Sequence, residues 1–257
     1  MFYNDLLYIL SPIILILTAL FVLMIDFFTN KKSIILASTL VGLIFSVFVL
    51  FLQYFNFESN RTLFFETIVF DKFYLFSAIT MILLTIAIVL AFFDYIVNQI
   101  SFRSEFISLI ILSLVGSLFV IMATDFITIY LSLELSSLPI IALIAFGRGK
   151  FSLEAAFKYL ILASFSTGIF LTGVVYIYGT TGSLNLLELN ITEINPAIIL
   201  GLVFLFIGLA FKLSIAPWHM WTPDTYQGSP MPVVTYLSTV SKVAGFVLSI
   251  RIFSEIF

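Results

Sequence analysis

Cysteine is absent from the 257 residues, histidine occurs once and charged residues make up only 10%. Without thiols the chain can form no disulfide, no thiolate metal site and no cysteine-held iron–sulfur cluster. A single histidine excludes bis-histidine haem ligation. Redox chemistry associated with this chain must therefore take place on another subunit. The formal net charge of −3 is too small to suggest a nucleic-acid partner. Nor do apolar and polar residues alternate in segments of about ten, as in a membrane β-barrel. The first apolar run is too long, and too acidic at its start (Asp5), for a secretory signal peptide.

Apolar residues dominate instead: 62% of the chain is hydrophobic, 31 residues are Phe, and the mean hydropathy is +1.22. That composition is outside the range of soluble domains and implies a polytopic membrane protein with the lipid bilayer as its surroundings. A hydrocarbon core about 30 Å thick takes about 20 apolar residues per helix. Eight helices are expected, over 6–26, 33–54, 74–97, 106–123, 126–146, 153–177, 197–221 and 231–254. The longest connections are 55–72 and 178–195, and no Pro/Ser linker, low-complexity tract or internal repeat divides the chain. Residues 1–257 are thus expected to form a single membrane domain, an all-α polytopic transmembrane helical bundle. Lys31, Lys32, Arg103, Arg148 and Lys150 fall in alternate connections, whereas the opposite ones carry Arg61, Lys72 and the acids Glu188 and Glu193. The positive-inside rule places the first set on the cytoplasmic or matrix face and the N-terminus outside.

Two apolar runs contain a charge that calls for explanation. TIYLSLELSSLPIIALIAF carries Glu134, and LVFLFIGLAFKLSIAPWHMW carries Lys212. Each charge is followed five residues later by proline, Pro139 and Pro217. A charge at the centre of a membrane helix costs about 2.5–3.5 kcal/mol on insertion scales. Proline cannot donate to the carbonyl four residues back, which frees the C=O of Leu135 or Leu213 beside the charge. Lys242 lies near the middle of the last helix, and Glu154 and Lys158 stand one turn apart in the favourable order on one face. Hydroxyls extend the set: Ser132, Ser136 and Ser137 near Glu134, Ser164, Ser166 and Thr167 above Lys158, and Ser238 and Ser241 beside Lys242.

At an effective dielectric of about 20, a charge 4 Å away is worth about 4 kcal/mol. Moving a glutamate relative to a lysine can therefore load or unload a proton, and a row of lysines with one acid reads as a proton relay. Plainer readings exist. Paired charges glue helices together, prolines kink them, and Glu154–Lys158 fits a helix-start ion pair. His219, between Trp218 and Trp221, fits an interfacial aromatic belt, and Asp26, Asp94 and Asp125 fit solvated helix ends. Five intramembrane charges exceed what glue requires.

The run FKLSIAPWHMWTPDTYQGSPMPVVTYLSTVSKVAGF (211–246) resembles the seventh and eighth helices of the antiporter-like membrane subunits of respiratory complex I, the proton-translocating NADH–quinone oxidoreductase. PWHMWTPDTYQGSPMPV followed by LSTVSKVAG is most similar to the subunit N (chain 2) type, and LSLELSSLPIIAL and EAAFKYLILASFSTGIFLTG fit it too. The resemblance implies an antiporter-like fold with a discontinuous helix seven, and residues 106–254 (helices 4–8) as the first of two inverted proton-channel repeats. It implies proton translocation through Glu134, Lys158, Lys212 and Lys242, with Glu134 pairing Lys212 and His219 as a further relay. It also implies about six further helices, so that Phe257 reads as the end of a fragment, of a split gene product or of an incomplete gene prediction. No cofactor is expected here; NADH, FMN, iron–sulfur clusters and quinone belong to partner subunits. The expected partners are neighbouring antiporter-like and small membrane subunits of the complex. The expected location is the bacterial plasma (inner) membrane, with the mitochondrial inner membrane as the alternative. An Mrp-like cation/proton antiporter component is the second functional reading, and a transport-inactive docking scaffold the third.

Overall fold

Residues 2–28, 32–147, 149–189 and 195–256 are described by a computed structural model. Lys31, Arg148, Glu193 and Phe257 lie outside the described residues. The chain opens with α1 (Phe2–Tyr8), α2 (Leu10–Phe28) and α3 (Lys32–Phe55). A hairpin of β1 (Arg61–Leu63) and β2 (Ile68–Phe70) leads into α4 (Lys72–Ala91) and α5 (Phe93–Gln99). Then come α6 (Arg103–Met122), α7 (Phe126–Ala145), α8 (Lys150–Thr181) and α9 (Pro196–Leu213). Three shorter pieces, α10 (Trp221–Gly228), α11 (Met231–Ser238) and α12 (Val240–Ile256), complete the bundle.

Among the described residues seven helices are long and apolar enough to cross a membrane, α11 and α12 counting together, and Leu10–Asp26 is a shorter apolar helix. The chain is an integral membrane protein. Polar caps start the helices where the sequence turns. Asp71 accepts from Tyr74 N at 2.7 Å, Asp125 from Ile127 N and Thr128 N, and Asn195, followed by Pro196, from Ile198 N at 2.8 Å. Asp125 is therefore a cap, and Asp26 accepts from Ser104 Oγ at 2.7 Å, so neither is merely a solvated end.

The hub is α6, which packs against α2, α4, α7 and α12. Helices approach closely where side chains vanish. A Cβ on Gly173 of α8 would lie 2.7 Å from the Gly201 carbonyl oxygen of α9, so glycine is what permits that crossing.

The structure departs from the sequence expectation at several ends. The helix expected over 74–97 breaks at Phe92 (φ −105°, ψ 20°). The connection 55–72 contains the antiparallel hairpin, with Arg61 opposite Phe70 and Leu63 opposite Ile68. Its turn holds Phe64, Phe65 and Glu66 at positive φ. Thr124 clamps that turn, its N–H donating to Thr67 O at 3.0 Å and its hydroxyl to Glu66 O at 2.8 Å. The helix expected over 197–221 stops at Leu213, the discontinuity on which the candidate site is built. The one expected over 231–254 is disturbed at Thr239 (φ −116°, ψ −78°), although Thr239 N still bonds Thr235 O and Val243 N bonds Thr239 O.

Candidate functional site

Lys212 occupies the last turn of α9, and the way that helix ends creates the site. Ser214 is left-handed (φ 56°, ψ 40°), with its N–H on Phe211 O at 3.0 Å and the Ile215 N–H on Ala210 O at 2.9 Å. This is the Schellman arrangement, with serine where glycine is usual. The chain then reaches Pro217 and cannot continue as helix. The terminal carbonyls are taken up by side chains from later in the chain. Lys242 Nζ, from α12, donates to Lys212 O at 2.9 Å and also to Ser214 Oγ. Trp221 Nε1 donates to Phe211 O at 3.0 Å. The carbonyl end of a helix carries partial negative charge, so an ammonium is favoured there. Ser214 thus contributes its hydroxyl as well as its strained backbone: Thr222 Oγ1 bonds it at 2.8 Å. The sequence placed the freed acceptor at Leu213; in the structure it is the carbonyl of Lys212 itself that holds Lys242.

The Lys212 ammonium points the other way, towards α7. It is buried, 9% exposed, and donates to Ser137 Oγ at 2.6 Å. Ser137 in turn donates to Leu133 O. Glu134, half-buried one turn earlier on α7, forms no ion pair with Lys212 among the described residues. Ser137 therefore stands where the direct Glu134–Lys212 pair was expected. Through Pro139 α7 stays helical, and the Ser136 carbonyl beside it receives Ser113 Oγ at 2.8 Å. A mostly apolar cavity of about 20 Å³, room for about one water molecule, has Ser137, Ser166, Thr167 and Lys212 in its wall beside Leu133, Phe170 and Phe211.

Lys158 sits on α8 at a more open position, its side chain 43% exposed. It lies 2.7 Å from Glu154, as the one-turn spacing predicted, and 2.7 Å from Asp224 of α10. The sequence reading did not single out Asp224. Its signal was present in the TPD that follows PWHMW, an acid in the first turn of a short helix. Trp221, at the start of α10, lies with its ring 5.1 Å from Lys242 Nζ and packs on Tyr159 and Phe211. His219 is exposed on the segment between α9 and α10, away from the contacts that join the lysines. Arg251, towards the end of α12, is 6% exposed and pairs with Asp71, Nη1 to Oδ2 at 3.1 Å, tying α12 to the cap of α4.

Chemically, then, Lys212 and Lys242 meet at the carbonyls and hydroxyls of a broken helix, and Lys158 stands on the neighbouring α8 between the carboxylates of Glu154 and Asp224. Such an arrangement can pass protons and offers nothing that stores electrons. The model of the transmembrane NADH:quinone oxidoreductase/Mrp antiporter family matches residues 123–256, which include Glu134, Ser137, Lys158, Lys212, Asp224 and Lys242. The chain belongs to that family. It is 34% identical to NADH-quinone oxidoreductase subunit N 1 of Herpetosiphon aurantiacus, over 96% of this chain and 52% of that protein. It is 36% identical to subunit N of Dehalococcoides mccartyi, over 96% and 53%. A chain of respiratory complex I from Thermus thermophilus superposes with a TM-score of 0.79 at 29% identity, over 94% of this chain and 52% of that one. A chain of an archaeal membrane-bound sulfane sulfur reductase shares the fold, with a TM-score of 0.78 at 23% identity. This member of the antiporter-like family spans about half the length of the relatives it matches. The two solved structures are of a respiratory complex I and of an archaeal respiratory membrane complex.

Proposed function

We propose that the chain is part of a membrane-arm subunit of a proton-translocating NADH–quinone oxidoreductase in the bacterial plasma membrane. On this reading it carries protons and no electrons: NADH, FMN, iron–sulfur clusters and quinone are handled by partner subunits. Its partners are neighbouring antiporter-like and small membrane subunits. The absence of cysteine supports that division of labour, because this chain has no thiolate with which to hold a cluster. The first inverted repeat, residues 106–254, forms the path.

The observation that carries the proposal is the contact between Lys212 and Lys242 across the end of α9. One ammonium is held by Ser137 and the other by Lys212's own carbonyl, so a change at the helix break alters both. Lys158 receives a proton from the open side. Water in the cavity beside Ser137, Ser166 and Thr167 passes it to Lys212, and Lys242 takes it onward. At each step an ammonium gives up a proton and the next amine accepts it, so charge moves without redox chemistry. Glu134 is the acid whose approach or withdrawal biases Lys212.

The test is Lys212→Met in the assembled complex, measured in closed vesicles. NADH-driven proton uptake per NADH oxidised is expected to fall by about tenfold or more, with the complex still assembled. Normal proton output from an assembled Lys212→Met complex would falsify the proposal.

A further inference from the structure

Asp224 lies outside the lysine row, yet α10 touches Lys158 and Lys242 and bonds the end of the helix that carries Lys212. Its first residue, Trp221, bonds Phe211 O and faces Lys242. Thr222 bonds Ser214 Oγ, which also receives Lys242. One turn further on, Asp224 Oδ2 accepts from Lys158 Nζ at 2.7 Å. At the far end, a Cβ on Gly228 would lie 2.9 Å from Phe151 O, so the glycine lets α10 rest directly on α8. The helix is about 12 Å long at 1.5 Å per residue, short enough to move as one piece.

We infer that Asp224 is a positioning residue through which α10 couples Lys158 to the break in α9, where Lys212 and Lys242 meet. The two carboxylates on Lys158 differ in kind. Glu154 is on the same helix, so its distance is fixed by the helical repeat. Asp224 rides on α10, and its distance changes whenever α10 shifts with the helix break. With side chains 43% and 50% exposed, the Lys158–Asp224 pair adds little to stability, which argues for positioning over glue. Displacement of α10 withdraws one of the two negative charges from Lys158 while it loosens the Thr222–Ser214–Lys242 cluster. The same motion thus acts on the start and the end of the row.

This inference rests on the proton-carrying role proposed above, and the experiment separates the two. In the assembled complex in closed vesicles, Asp224→Asn is compared with Asp224→Glu, Lys158→Gln and the double variant Lys158→Gln/Asp224→Asn. Asp224→Asn is expected to lower proton uptake per NADH about fivefold with NADH oxidation retained, Asp224→Glu to restore most of it, and the double variant to match Lys158→Gln alone. Unchanged proton yield in Asp224→Asn overturns the inference, as does a loss in the double variant of more than about twofold beyond Lys158→Gln. Should Asp224→Asn fail to assemble on native gels, the double variant decides. In that variant neither partner of the pair is charged, so its own failure to assemble assigns Asp224 a purely structural part and overturns the inference. Lys212→Met, run alongside, identifies the other failure: if it pumps normally, the proton-carrying role falls first.

Discussion

Helices α2 to α4 and those after α6 use the same apolar residues but place some of their polar groups differently. In α2, α3 and α4, threonine and serine hydroxyls mostly fold back on their own helix: Thr18 to Ile14 O, Thr39 to Ile35 O, Ser77 to Phe73 O and Thr85 to Met81 O. Each is satisfied locally and offers nothing to a neighbour. From α7 onward most hydroxyls still fold back, as Thr172 does on Gly168 O and Thr235 on Met231 O, but those around the end of α9 bridge segments. Ser137 receives Lys212, Ser166 reaches Gly208 O and Thr222 reaches Ser214. The Ser11–Ser46 contact between α2 and α3 is an exception in the first region. On the proposed function, the bridging hydroxyls around the end of α9 belong to the proton path and the locally bonded ones only support it, because only bridging groups can hand a proton across a helix boundary.

The largest effect expected outside the lysine row falls on the joint between the two regions. Arg251→Leu leaves Asp71 unpaired at the start of α4 and should cost about 3–5 kcal/mol, read as a lower thermal midpoint and less assembled complex. Proton yield per NADH of what does assemble should stay normal, which would keep the joint out of the path. Around the end of α9, Ser137→Ala removes the hydroxyl that holds Lys212 at 2.6 Å and should cut proton yield about tenfold while costing about 1–3 kcal/mol of stability. Its counterpart in the supporting region, Thr39→Val, removes a local bond only. It should change stability by less than about 1 kcal/mol and leave proton yield alone. Equal losses of proton yield from the two hydroxyl variants would erase the distinction.

Much of this was legible in the chain. Charges stranded in apolar runs identify Glu134, Lys212 and Lys242 without coordinates, because the cost of burying them is large enough to require a reason. The break in α9 was signalled by Pro217. What could not be read were pairings made through space. Nothing local connects Asp224 to Lys158, 66 residues apart, or Arg251 to Asp71, 180 residues apart. That Ser214 would take a left-handed conformation was equally hidden, since glycine is the usual residue there. The hairpin escaped because its strands are three residues long and its turn is held by Thr124 and Asn185 from distant segments.

The most direct measurement is the proton yield of Lys212→Arg beside that of Lys212→Met. Arginine keeps the positive charge and its attraction to Glu134 but does not release a proton in a protein. If Lys212 carries protons, both variants lose proton uptake per NADH while the complex assembles. If Lys212→Arg pumps like the parent and only Lys212→Met fails, the lysine is a fixed charge and the relay is refuted.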